Sequence, residues 1–250
     1  MHILITNDDG INSKGLRALR RALRGLGELF TVAPDREKSA TGHSLTLIHP
    51  IRVEQLGRRI YAIDGTPSDC VNLGVMGIIE EKIDLVVSGI NNTPNLGDDI
   101  TYSGTVSAAM EGTLLDIPSF AISIATQDGA KPDFTFAARF ARQVVLLIKE
   151  KGLPPHTLLN INVPNVEENK IKGVAITRQG KRTYREELIK RIDPRGRVYY
   201  WIGSKGAIGE EEDGTDFKAI SENKISITPL HLDLTNHSFL EQLKGWEIRL

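Results

Sequence analysis

The amino-acid sequence predicts an α/β fold: a Rossmann-like, doubly wound, mostly parallel sheet that carries a C-terminal β-hairpin arm and a short terminal helix. Three observations point there. Short apolar runs alternate with segments of helical period through residues 1–165, and strands separated by helices pair in parallel with right-handed crossovers. The loops after those runs are rich in Asp, Asn, Ser and Gly, and the carboxyl ends of such strands are where ligands collect. Beyond Pro164 the alternation gives way to charged and aromatic stretches.

The elements follow in order. Residues 2–6 form an apolar run that reads as a buried strand. Residues 13–26 place Leu16, Leu19, Leu23 and Leu26 at helical spacing with arginines on the opposite side. Residues 29–33 give a second buried strand closed by Pro34, completing a βαβ unit. Residues 44–63 interrupt the rhythm as added antiparallel strands. Pro67 stands where a helix begins and continues through Val71, Val75 and Ile79. Strands at 83–88, 118–124 and 157–163 are separated by a helix of small residues, 103–115, and a long helix, 134–151. After Pro164, residues 173–180 and 197–202 read as strands around a charged middle, 181–195. Tyr199, Tyr200 and Trp201 stand together there. This arm reads as a projecting hairpin that packs on a second subunit; a ribbon folded back on its own domain is the competing reading. Residues 209–216 read as a solvated acidic loop, 224–228 as a strand and 238–246 as a short helix. The organisation is thus one domain, 1–250, with its core at 1–165 and its arm and tail at 166–250.

Composition narrows the function. Lys and Arg number 31 against 32 Asp and Glu, a formal net charge of −1. Duplex nucleic acid requires a basic footprint, so that partner is excluded, whereas a small anionic substrate is not. Cys70 is the single cysteine, which precludes an internal disulfide and fits a cytoplasmic protein. Neither a signal peptide nor an apolar run of about 18 residues is present, so no membrane association is expected.

Chemistry concentrates after three strands. Asn7, Asp8, Asp9 and Gly10 follow the first. Adjacent carboxylates repel unless a cation stands beside them, and a divalent ion is an economical solution; a plain Asp-Asp-Gly turn is the alternative. The polar loop at residues 35–44 follows the second strand. It holds Ser39, Gly42, His43 and Ser44, and such a loop can wrap an oxyanion while offering a Ser39 oxygen. Asn91, Asn92, Asn95 and the pair Asp98-Asp99 follow the third, and carboxamide oxygens suit Mg²⁺ or Mn²⁺. Ser103, Gly104 and Thr105 then open a helix, a natural phosphate site. Ser103 is also a plain N-cap, and a cap can serve both roles.

Several blocks in order resemble the SurE family of survival-protein nucleotidases: Thr6-Asn-Asp-Asp-Gly10, Ala33-Pro-Asp-Arg36, Ser39, Gly42-His-Ser44, Gly65-Thr-Pro67, Ser88-Gly-Ile-Asn91, Asn95-Leu-Gly97, Tyr102-Ser-Gly-Thr105, Asn160-Ile-Asn-Val-Pro164 and Thr228-Pro229. The resemblance implies a metal-dependent 5′/3′-nucleotidase, often with broader phosphomonoesterase or exopolyphosphatase activity. It implies one divalent cation per subunit, Mg²⁺ or Mn²⁺, held by Asp8, Asp9, Ser39 and Asn91. It places Asn95, Ser103, Gly104 and Thr105 on the phosphate and makes the arm the means of dimer or tetramer assembly.

His43 could donate to the phosphate or protonate the leaving oxygen, or else only order its loop. Two rivals remain at this level. A sugar-nucleotide transferase would share the phosphate-binding helix start. A nucleotide-sensing oligomer would bind without turnover, although paired Asp8-Asp9 beside an anionic ligand argues against a sensor.

Overall fold

The computed structural model describes residues 1–126, 130–182, 187–203, 209–246 and 248. Strand β1 (His2–Thr6) leads through helix α1 (Lys14–Ala22), capped by the Ser13 hydroxyl, into β2 (Glu28–Pro34). β1 and β2 run parallel, as their connection requires. Strands β3 (Val53–Gly57) and β4 (Ile60–Ile63) form an antiparallel pair, but β4 itself runs parallel to β2, so only half of the interruption at residues 44–63 is antiparallel. Helix α2 (Pro67–Leu73) starts on a reciprocal Thr66–Asp69 capping box and continues into a π-helical turn at Gly74–Ile78.

The chain then returns to the other side of β1. Strand β5 (Leu85–Asn91) pairs parallel with β1 and is followed by a 3₁₀ turn, Gly97–Thr101. Helix α3 (Gly104–Leu114), strand β6 (Ser119–Ala125), helix α4 (Phe134–Lys151) and strand β7 (Thr157–Pro164) complete the parallel part of the sheet. Alternation along β1 sends Ile3 and Ile5 to one face, against Leu16, Leu19 and Val145, and Leu4 to the other, against Cys70, Val71 and Ala108. Helices α1 and α4 thus cover one face and α2 and α3 the other, the layering of a doubly wound sheet.

The last third both extends this sheet and leaves it. Strand β8 (Val174–Ile176) precedes a separate ribbon of β9 (Glu187–Ile192) and β10 (Val198–Gly203). Helix α5 (Asp216–Ser221), strand β11 (Ile225–His231) and helix α6 (His237–Lys244) follow. β11 runs antiparallel to β7 and carries β8 on its far edge, so residues 166–250 supply two strands of the nine-stranded order β3-β4-β2-β1-β5-β6-β7-β11-β8. Two readings of this region need correction. The charged middle at 181–195 contains β9, hidden because Lys190 and Arg191 break up the apolar residues Leu188, Ile189 and Ile192. The acidic stretch at 209–216 is not solvated throughout: Thr215 caps α5, and Asp216 is fully buried. No described helix is long and apolar enough to cross a membrane.

Candidate functional site

The strand order reverses direction at β1 and β5, and the loops leaving their carboxyl ends meet there. In open α/β sheets this crevice is the ligand site. After β1, Asn7 is fixed by donating from Nδ2 to the Gly10 carbonyl (3.1 Å) and to Ser13 Oγ (2.8 Å). Gly10, at φ +92°, turns the chain against the backbone of Arg36, a conformation that side chains other than glycine resist. The Lys38 N–H donates to the Asp8 carbonyl (2.8 Å), which ties the loop after β2 to the one after β1.

Asp8 is buried beneath the start of α3. Thr105 Oγ1 donates to Asp8 Oδ1 at 2.5 Å, and Gly104 packs so closely that a Cβ there would lie 2.8 Å from Asp8 Cβ. Burial raises the Asp8 carboxyl above the ordinary carboxylate range, against the lowering effect of Thr105. Asp9 is pushed up to about 7, first by burial and then by the charges of Asp8 and Glu37; an N–H of Asn92 opposes the shift. Two carboxylates raised together mark a place that lacks positive charge.

The remaining oxygens stand around them. Ser39, on the cavity rim, donates to Glu37 Oε1 (2.7 Å). Asn91 commits its Nδ2 to Thr93, at 2.8 Å from the carbonyl and 3.2 Å from the hydroxyl, leaving Oδ1 as the atom offered to a cation. Among the described residues no three His, Cys, Asp or Glu side chains form a metal set. Asp8, Ser39 and Asn91 bring a carboxylate, a hydroxyl and a carboxamide to one cavity, whereas Asp9, next in sequence to Asp8, is not among its lining residues. Such all-oxygen donors fit a hard divalent cation, and its charge would hold both aspartates ionised.

Asp8, Ser39, Asn91, Asn95 and Ser103 line one cavity of about 590 Å³. Asn95 is held rigidly: its N–H donates to Asn162 Oδ1 (2.8 Å), its carbonyl accepts from Asn160 and Asn162, and its Nδ2 donates to Ser123 Oγ (2.7 Å). The Ser123 hydroxyl can donate as well as accept, so the Asn95 carboxamide can present either end. Ser103 caps α3 by accepting from the Val106 N–H (3.1 Å). Thr105 is fully buried and engaged with Asp8. The Gly42 N–H donates to the Tyr102 carbonyl (3.1 Å), and the Ser44 hydroxyl donates within its own loop to Thr41 (3.0 Å). His43 Nε2 lies 2.8 Å from the buried Glu111 Oε2, and Glu111 also accepts from Asn72 (2.9 Å). That bond to His43 is the main cause holding the Glu111 carboxyl below its ordinary range. Gly42, His43 and Ser44 thus brace the neighbouring loop and are not among the cavity's lining residues.

The cavity also holds residues given no role from sequence: Pro94, Asp99, Tyr102, Arg182 and Ile202. Arg182 and Asp99 form an ion pair. Asp216 joins the root of the ribbon to the 3₁₀ turn, accepting from the N–H groups of Gly97 (2.8 Å), Gly180 (2.9 Å) and Phe217 (2.9 Å). Asp99, in the acidic pair that follows the third strand, and Tyr102, next to the Ser103 cap, carried a signal of proximity in the sequence.

Comparison with known proteins identifies relatives that span the chain. The family model described as Survival protein SurE matches residues 3–186. A protein of Geotalea daltonii named 5′-nucleotidase SurE is 51% identical over 248 residues, covering 99% of this chain and 100% of its own length. One of the same name from Pelobacter propionicus is 52% identical over 246 residues, covering 98% of this chain and 99% of its own. The crystal structure of the SurE protein from Aquifex aeolicus superposes with a TM-score of 0.87 at 47% identity, covering 98% of each chain. With the fold, the switch-point crevice and end-to-end relatives in agreement, the chain belongs to the SurE family.

Proposed function

We propose that this chain is a divalent-metal-dependent nucleotidase that hydrolyses nucleoside 5′- and 3′-monophosphates, with activity extending to other phosphomonoesters and to polyphosphate ends. One observation carries the reading: buried Asp8 with Ser39 and Asn91 lines the same cavity as the capped start of α3. Relatives named 5′-nucleotidase SurE that span the whole chain support it.

Asp8, Asp9, Ser39 and Asn91 would hold one Mg²⁺ or Mn²⁺ per subunit. When bound, that ion supplies positive charge against the phosphoryl oxygens and acidifies a water. The protein's own part is positioning. The first N–H groups of α3 lack helical partners and, with the Ser103 hydroxyl and the Asn95 carboxamide, favour charge on the equatorial oxygens. Thr105 orients Asp8 rather than reaching into open space. Water oxygen bonds to phosphorus, the phosphorus–ester oxygen bond breaks, and the nucleoside oxygen takes a proton. His43, fixed by Glu111, orders the 35–44 loop.

The exposed side chains Tyr199 and Trp201, on one face of the ribbon, support assembly into a homodimer or homotetramer through the arm. The single, buried Cys70 is in keeping with the cytoplasm. Phosphate release from AMP, GMP and p-nitrophenyl phosphate, with EDTA and then with Mg²⁺ or Mn²⁺ restored, tests the reading. Release that EDTA abolishes and metal restores supports it; AMP binding without release under either metal refutes it.

A further inference from the structure

The cavity is lined by two kinds of residue: Asp8, Ser39, Asn91, Asn95, Ser103 and the Asp99–Arg182 pair are polar, whereas Pro94, Tyr102 and Ile202 are apolar. A site for inorganic phosphate alone has no use for an aromatic ring and an isoleucine, 57% and 73% exposed, on its wall. We infer that Tyr102 and Ile202, with Pro94, form the subsite for the nucleobase. On this assignment the β9–β10 ribbon is a specificity element of its own subunit's active site. This inference rests on the nucleotidase reading and deepens it.

Three features make that wall a built one. Tyr102 directly precedes Ser103, so its ring is anchored beside the start of α3, and its carbonyl is fixed by the Gly42 N–H. The root of the ribbon is clasped to the same loop by Asp216 through Gly97 and Gly180, and Gln179 Nε2 donates to the Gly97 carbonyl (3.1 Å). The Arg182 N–H adds a bond to Asp98 (3.2 Å). Alternation along β10 then separates two roles. Ile202 and its cross-strand partner Leu188 share one face, and Trp201 with Ile189 takes the other. The face bearing Ile202 serves the cavity, and the face bearing Trp201 is left for another subunit. Apolar and aromatic surfaces stack bases with little regard to their identity, so the subsite favours nucleotides over base-free phosphates without strong choice among bases.

Titration calorimetry in EDTA, where turnover is suppressed, compares AMP with ribose 5-phosphate, which lacks only the base. The native chain is expected to bind AMP about tenfold or more tightly than ribose 5-phosphate, from stacking on the base. Tyr102→Ala and Ile202→Ser are both at exposed positions. Each should cut that ratio at least about threefold, and together bring it near one. A native ratio of one, or a ratio untouched by both substitutions, overturns the subsite. Phosphate release in Mg²⁺ or Mn²⁺ is measured in parallel. Absent release with the AMP preference intact removes the nucleotidase reading and leaves the base subsite standing, whereas release with no AMP preference does the reverse.

Discussion

Gly104 packs the start of α3 tightly against Asp8, and Gly104→Ala probes that approach directly. The new Cβ would meet Asp8 Cβ at 2.8 Å, Asp8 Oδ2 at 3.1 Å and Pro67 Cγ at 3.1 Å. Carbon atoms pack at about 3.5–4.0 Å, so either α3 or Asp8 must retreat by roughly 0.7–1.2 Å. Overpacking of this size costs about 1–3 kcal/mol, and alanine's helical preference over glycine returns up to about 1 kcal/mol. The variant therefore loses about 0–3 kcal/mol, small beside a typical stability of about 5–15 kcal/mol, and remains folded. Catalysis is less forgiving: a misplacement of about 1 Å costs on the order of 100-fold. The assay is kcat/KM for metal-dependent phosphate release from AMP, read beside the urea midpoint. Gly112→Ala on the same helix is the control, because its Cβ would strike Ser119 Oγ at 2.4 Å and Val86 Cγ2 at 2.8 Å, away from Asp8. It should cost at least as much stability with a much smaller loss of kcat/KM. A Gly104→Ala enzyme within threefold of native kcat/KM, or losing no more than Gly112→Ala, would refute the reasoning.

Further outcomes follow from the same site. Thr105→Val keeps the shape and removes the hydroxyl donor to buried Asp8. A bond to a charged group is worth about 1.5–3 kcal/mol, so kcat/KM should fall about 10- to 150-fold, and unchanged kinetics would free Thr105 from that role. Asp9 has a folded pKa of about 7 against 3.8 unfolded, so between pH 4 and 7 the metal-free native state binds more protons than the unfolded one. Its contribution to stability is therefore lost as pH rises through that window and is level above it. Melting temperature against pH in EDTA should fall more steeply for the native chain than for Asp9→Asn, and parallel curves would contradict the shift. Mn²⁺ at about 100 times its Kd should stabilise the native chain by about 2.7 kcal/mol, or about 5–10 °C at this size. Asp8→Asn should abolish that shift; an equal shift in the variant would move the ion elsewhere.

The buried parallel strands were legible because each is an apolar run bounded by turn residues, and β1, β5, β6 and β7 lie within about two or three residues of their expected positions. Their end-loops followed, since topology alone assigns ligands to the carboxyl ends. Helix α1 ends at Ala22 although its leucine spacing continues to Leu26. Gly25 takes φ +81° and Gly27 abuts the Met1 carbonyl, so the chain turns early to start β2. What sequence could not reveal depends on distant partners. Asp216 reads as a surface acid until the N–H groups of Gly97 and Gly180 are folded around it, and Ile202 reads as part of an outward arm until the cavity beneath it exists. Glu111 was likewise silent, because its partners Asn72 and His43 come from other elements.

The Asp216 clasp has a consequence for when the enzyme becomes competent during synthesis. Residues 97–102 emerge from the ribosome well over one hundred positions ahead of the carboxylate that fastens them. The parallel strands can assemble as soon as β7 is out, and Asn95 is then already held by Ser123, Asn160 and Asn162, yet the 3₁₀ turn at Gly97 lacks its carboxylate acceptor until α5 docks. A nascent chain of this protein therefore carries a nearly complete scaffold and an unfinished pocket while the residues between β7 and α5 are made, at about 5–20 residues per second. Competence arrives as a late step, coupled to near-completion of the polypeptide.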